Sequence, residues 1–211
     1  MAPNWHHQLS YAIINYYLIK DYIVKKELLP EEINAIELWT NGEFEYRKIK
    51  AIQNGIYKDS FNINEYIEYE KKSTLLLGLF DQLNDTTNEQ EIFRGDIIEY
   101  EGKSDKEIYT NYMLNNKVGD IISIGKSILS CTLIKQVAET APESSDDYRG
   151  EFTPTILYII DKRKSKFINI SQYSTTSNES EVLCGTNKKF IITSIDKFPE
   201  RNHLNYYLNE V

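Results

Sequence analysis

The chain has 211 residues, 41% hydrophobic and 27% charged, enough to bury a sizeable core beneath a polar surface. Its formal net charge of −8 argues against nucleic acid as the main partner, because phosphate binding relies on clustered lysine and arginine. No apolar run approaches the roughly 20 residues of a membrane-spanning helix, and the first residues lack the basic-then-apolar layout of a secretory signal.

In chain order, apolar residues first recur as Leu9, Ala12, Ile13, Tyr16, Tyr17 and Ile19, a spacing that predicts a helix over 8–26. Pro30 opens a second helix, with Glu31 and Glu32 at its positive dipole end, and Asn41-Gly42 closes it. A third carries Tyr46, Ile49 and Ile52 and stops near Asn54-Gly55; a longer fourth spans 63–83. After residue 88 the pattern changes to short β-branched runs at 91–94, 120–124, 127–132, 155–160, 167–170, 181–183 and 190–195, with 205–211 as a closing strand. Short helical stretches at 109–114 and 133–140 and a polar loop at 142–150 lie between them. Lys162-Arg163-Lys164, with Lys166, reads as a solvated hairpin turn. Helices first and strands afterwards is an α+β arrangement. One domain over 1–211 is expected, with a helical layer to residue 88 and a β-rich core from residue 89.

Cys131 and Cys184 offer neither zinc spacing nor a disulfide framework, and His6, His7 and His203 form no ligand cluster, so no metal is expected. There is no G-x-G-x-x-G after a strand and no G-x-x-x-x-G-K-[ST], which excludes a doubly wound dinucleotide fold.

Three short motifs carry chemistry. In Ile92-Phe93-Arg94-Gly95, an arginine at the end of an apolar strand places a fixed cation beside exposed backbone. Guanidinium forks match phosphate oxygens, and the glycine lets a flat ring approach the main chain. In Ser127-Ile128-Leu129-Ser130-Cys131-Thr132, strand alternation points Ser130 and Thr132 to one face and Cys131 to the other, into the core. Two hydroxyls there can hold a carboxylate. In Glu179-Ser180-Glu181-Val182-Leu183, two carboxylates two residues apart on a strand share a face and feel each other's charge. Such a pair suits glycosidic bond cleavage, where one carboxylate stabilises oxocarbenium charge and the other accepts a proton.

In this order, the motifs resemble those of the toxin-type mono-ADP-ribosyltransferases of the arginine–serine–glutamate class, in their E-x-E, arginine-modifying subgroup. The likeness extends to Leu29-Pro30-Glu31-Glu32, Trp39-Thr40 and Gln53-Asn54-Gly55, to Val118-Gly119-Asp120 and to Gly185-Thr186 with Phe190, covering about residues 29–198. Ser130-Cys131-Thr132 stands where the family usually has Ser-Thr-Ser. The resemblance implies a helical layer packed on a split, two-sheet mixed β core, with NAD as co-substrate. It also implies roles: Arg94 on the NAD diphosphate or ribose, Gly95 on the nicotinamide amide, Ser130 orienting Glu181, and Thr132 lining the cleft. Glu181 would hold the nicotinamide ribose and Glu179 deprotonate the acceptor arginine. Tyr173 and Ser174 would belong to a target-recognition turn, and Tyr148 and Arg149 to a loop over the cofactor phosphates. The implied partner is a target protein, such as actin, a small GTPase or another host or competitor protein, with an immunity or inhibitor protein as a second. A bacterial toxin or effector, secreted or injected and acting in the target-cell cytosol, is the implied setting. An NAD glycohydrolase using the same site, or an inactive binding module of the same fold, is the alternative.

Overall fold

The computed structural model describes residues 27–41, 44–55, 61–83, 89–98, 104–145, 147–175 and 177–211. The helix expected over 8–26, with His6 and His7, and Gly42 lie outside the described residues.

Three helices come first: α1 (Pro30–Thr40), α2 (Phe44–Gln53) and α3 (Ile63–Gln82). Proline at the start of α1 is pre-set in φ and gives up no needed donor. Beyond a dipole effect, Glu32 folds back to accept the Leu29 backbone N–H at 2.8 Å, and Gln82 of α3 donates to its other oxygen at 2.8 Å. One buried carboxylate thus caps α1 and ties it to α3. Asn62 caps α3 in the same way, accepting from the N–H groups of Asn64 and Glu65.

The strands are β1 (Glu91–Ile97), β2 (Ile121–Ser123), β3 (Leu129–Thr132), β4 (Thr155–Asp161), β5 (Phe167–Asn169), β6 (Glu181–Cys184), β7 (Lys189–Phe198) and β8 (His203–Glu210). Helices α4 (Asp105–Asn115) and α5 (Lys135–Thr140) interrupt the series. The strand order is β2-β7-β8-β4-β1-β3-β6-β5, mixed because β4 and β8 run parallel. The two expected sheets are therefore hydrogen-bonded into one, but the seam is thin: β1 and β3 register only at Phe93↔Thr132. On one side of it lies a five-stranded wing, on the other a three-stranded wing of β3, β6 and β5. The basic run at 162–164 is a short 3₁₀ turn, not a hairpin: β4 pairs with β1 and β8, while β5 pairs with β6 at the far edge. Charge and flanking apolar runs reveal a turn, but the strand partner is chosen by packing elsewhere.

Strand alternation divides the packing. One face of both wings builds the main core, in which α4 contributes Ile108 and Tyr109 and the strands contribute Ile92, Cys131, Ile156, Val182, Phe190 and Tyr206. On the opposite face, Ala35, Ile36 and Trp39 of α1 and Leu76 and Leu79 of α3 pack with Ile168, Ile170 and Leu183 of the three-stranded wing. Ala138 of α5 packs with Phe93, Leu157 and Ile159 of the other wing. Two separate helical covers thus leave the seam open between them.

Candidate active site

The seam creates the site. Beyond the Phe93↔Thr132 pair the two wings diverge, so the backbone of β3 lacks a strand partner from β1 there. Arg94 fills that place: its guanidinium donates to the Ser130 carbonyl at 2.7 Å. The remaining edge of the fork is taken by Asp96, at 2.8 Å from Nε and 2.6 Å from Nη2. Residues two apart on a strand share a face, which lets this bidentate pair form along β1. Burial opposes the charge on Arg94, but the Asp96 carboxylate, by its field and its hydrogen bonds, outweighs that and holds the guanidinium more firmly protonated than usual.

Ser130 joins the cation to the carboxylate. While its carbonyl accepts from Arg94, its hydroxyl donates to Glu181 Oε1. Glu181 opens β6 opposite Thr132 and is only 5% exposed. Burial is the main reason its carboxyl is pushed from an ordinary 4.5 up to about 7; the charge of Glu179 adds to the rise, and hydrogen bonds from Ser130, Ser174 and Trp39 oppose it. A carboxyl poised near neutrality in a cleft fits a catalytic task better than a structural one.

Glu179 and Glu181 do not share a strand face. Glu179 ends a 3₁₀ turn, Ser180 is left-handed at φ 47°, and β6 begins only at Glu181. The turn leaves Glu179 exposed at the mouth while Glu181 is buried beneath it. Thr132 holds this geometry: its hydroxyl donates to the Glu179 carbonyl and accepts the Ile134 N–H at 3.0 Å. The two carboxylates thus differ in solvation, a difference that strand alternation alone does not predict.

Arg94, Ser130, Thr132, Glu179 and Glu181 line one cavity of about 140 Å³, walled by Val137, Ala138 and Ala141 from α5 and the residue after it. Gly95 is required here for packing: a Cβ would meet the Ala138 carbonyl oxygen at 1.9 Å. Arg94, Gly95 and Ala141 also line an adjoining cavity of about 320 Å³ that carries Tyr46, Arg47 and Lys50 of α2. Cys131 faces the core on the other side, and burial pushes its thiol well up, so it is inert.

Three residues named from the sequence line neither of these two cavities. Arg149 pairs with Asp105 of α4 at 2.6 Å, and Tyr148 lines a separate cavity of about 560 Å³ that the polar side of α5, Lys135, Gln136 and Glu139, also lines. Tyr173 packs against the core beneath α1. Conversely, Asp96, Trp39, Arg47 and Lys50 join the site although the motifs do not include them. Asp96 was readable from its two-residue spacing to Arg94; the other three come from distant helices, Trp39 marked only by the family likeness and Arg47 and Lys50 by no local signal.

Comparison with solved structures decides the fold. The Vis toxin, an ADP-ribosyltransferase from Vibrio splendidus, superposes with a TM-score of 0.65 at 14% identity, over 100% of this chain and 87% of that one. An ADP-ribosyltransferase from Clostridium botulinum gives 0.58 at 16% identity, over 88% and 89%. The chain has the ADP-ribosyltransferase fold. The type III effector XopAI from Xanthomonas axonopodis pv. citri is also similar, with a TM-score of 0.54 at 13% identity over 98% and 78% of the two chains. A further Vis structure holds agmatine. No family model and no curated protein sequence matches this chain. In the ADP-ribosyltransferase fold seen here, the arginine, serine and glutamate of the sequence motifs meet at the seam of the sheet.

Proposed function

We propose that this chain is an NAD-dependent mono-ADP-ribosyltransferase that modifies arginine on a target protein. The observation that carries the reading is the Arg94–Ser130–Glu181 array, a fixed cation and a buried carboxylate held by one serine, with a second carboxylate, Glu179, at the cleft mouth. Arg94, with Arg47 and Lys50 along the adjoining cavity, suits the NAD diphosphate. Glu181, in its ionised form, suits the nicotinamide ribose. As the bond from nicotinamide to the ribose breaks, its electron pair leaves with nicotinamide and positive charge builds on the sugar, which Glu181 stabilises. A guanidine nitrogen of the acceptor then bonds to the anomeric carbon, and its proton passes to Glu179. Arginine is protonated in water, with a pKa above ~12, so transfer to it needs such a base.

The agmatine held by Vis is itself a guanidine, which supports a guanidinium acceptor. Likeness to a toxin and to a type III effector supports action inside another cell, on a host or competitor protein. The test incubates purified protein with labelled NAD and a cell lysate beside Glu181→Ala. A labelled protein that appears only with the native chain supports transfer and names the target. Nicotinamide release without label assigns the site to NAD hydrolysis instead. Neither label nor release overturns the reading in favour of a binding module.

A further inference from the structure

The last turn of α1 ends against Glu181 and against the segment that leads to Glu179. Trp39 is buried, its ring set edge-on to Tyr46 at 6.5 Å, and its side chain is near enough to Glu181 to hold that carboxyl's titration down. An indole has one donor and no acceptor, so its N–H is the group that acts on Glu181. The next residue, Thr40, is also buried, and its hydroxyl oxygen accepts the Thr175 backbone N–H at 3.0 Å and lies 3.2 Å from the Thr175 hydroxyl. Thr175 belongs to the segment between β5 and Glu179. Its start is pinned to the strand by Tyr173 and Ser174, whose N–H groups donate to the Ile170 carbonyl at 2.8 and 3.1 Å. It is pinned again by the Ser171 hydroxyl on the Glu181 carbonyl at 3.2 Å. Thr40 holds the far side of the same segment. The Thr40 hydroxyl also lies 3.3 Å from the Glu37 carbonyl of its own helix, so one buried group joins the end of α1 to the 171–175 segment.

We propose that Trp39 and Thr40 are positioning residues: Trp39 orients Glu181, and Thr40 anchors the 171–175 segment that leads to Glu179. The inference rests on the transferase reading for its functional meaning, but its geometry can be tested without it. By this account the helical layer aligns the catalytic pair as well as covering the sheet.

The test follows the Glu181 carboxyl by ¹³C NMR titration, assigned by its loss in Glu181→Gln, in the native chain and in Trp39→Phe. Removal of a donor from a buried ionised carboxylate moves its titration upward, by about 1 on the pH scale, and the acidic limb of NAD cleavage moves with it. In Thr40→Val, hydrogen exchange at the Thr175 amide quickens about tenfold, and Thr40→Ser restores it. With agmatine as the acceptor probe, the ratio of transfer to NAD cleavage falls about tenfold in Thr40→Val and recovers in Thr40→Ser. An unmoved Glu181 titration in Trp39→Phe, or unchanged Thr175 exchange in Thr40→Val, overturns the proposal whatever the chain catalyses. A native chain that neither cleaves NAD nor modifies agmatine overturns the transferase reading instead, and the two NMR measurements still decide the positioning.

Discussion

The two wings of the sheet are built differently. In the five-stranded wing, long ladders carry the structure: β1 pairs with β4 from Glu91↔Asp161 to Ile97↔Thr155, and β4 runs beside β8 from Thr155↔His203 to Asp161↔Asn209. The three-stranded wing has only short ladders and leans on α1, α2 and α3, through the shared core and the bond from Gln53 to the Ile128 N–H at 3.0 Å. The self-supporting wing contributes one cation, Arg94, already locked by Asp96. The propped wing contributes Ser130, Glu179 and Glu181, and its helical prop reaches Glu181 through Trp39 and the segment before Glu179 through Thr40. Support and chemistry are thus divided: one wing is held by its own ladders, and the other, which carries the carboxylates, pairs with it in backbone register at one pair of residues.

Glu181→Gln tests the carboxylate-bearing wing most severely. NAD cleavage falls about 10³-fold, the size of a lost transition-state electrostatic contact, while the fold survives. Stability moves the other way. The folded carboxyl titrates near 7 and an ordinary one near 4.5, so the folded state holds an extra proton between those values and carries a buried charge above them. Its contribution is therefore favourable at low pH and lost as pH rises through that window. Glu181→Gln gains about 3 kcal/mol at pH 8 relative to pH 4, measurable by urea unfolding at both. On the proposed reading, NAD cleavage by the native chain is expected to rise with pH and to reach half its maximum near pH 7, where the Glu181 carboxyl titrates. A flat profile between pH 5 and 8 would remove Glu181 from its catalytic role.

Arg94→Lys tests the joint. Lysine cannot span Asp96 and the Ser130 carbonyl as a fork, and the loss costs about 3 kcal/mol, together with a raised KM for NAD. Unchanged stability would show that the seam is not held by this array. Glu179→Gln separates the two carboxylates: transfer to a guanidine falls about 10²-fold, and NAD cleavage persists because Glu181 is intact. Equal loss of both activities would erase the division between mouth and floor. Gly95→Ala drives a Cβ against the Ala138 carbonyl of α5, so the backbone there must shift. It costs about 2 kcal/mol, with reduced NAD cleavage as α5 shifts over the cavity.

Much of this was legible in the chain itself. The described α-helices and strands overlap the stretches that hydrophobic period and turn residues mark, because those signals are local, although α4 begins at Asp105 and part of the expected 142–150 loop is a 3₁₀ turn. Arg94, Ser130, Glu179 and Glu181 were readable as types of side chain suited to one chemistry. Tyr148, Arg149 and Tyr173 were assigned by sequence neighbourhood, and they lie outside the two cavities at the seam, with Arg149 on Asp105 and Tyr173 against the α1 core.

By itself, then, the sequence determined the α+β order, the strands and the residue chemistry, since periodicity and side-chain type are properties of short stretches. Only the tertiary structure decided that two expected sheets meet at Phe93↔Thr132, and that the opening beyond it is filled by Arg94. It alone turned Glu179 out and Glu181 in through the left-handed Ser180, and it alone brought Trp39 to Glu181 and Thr40 to Thr175. Those features depend on groups far apart in sequence meeting in a buried space, where desolvation and the need to satisfy each polar atom select the partner.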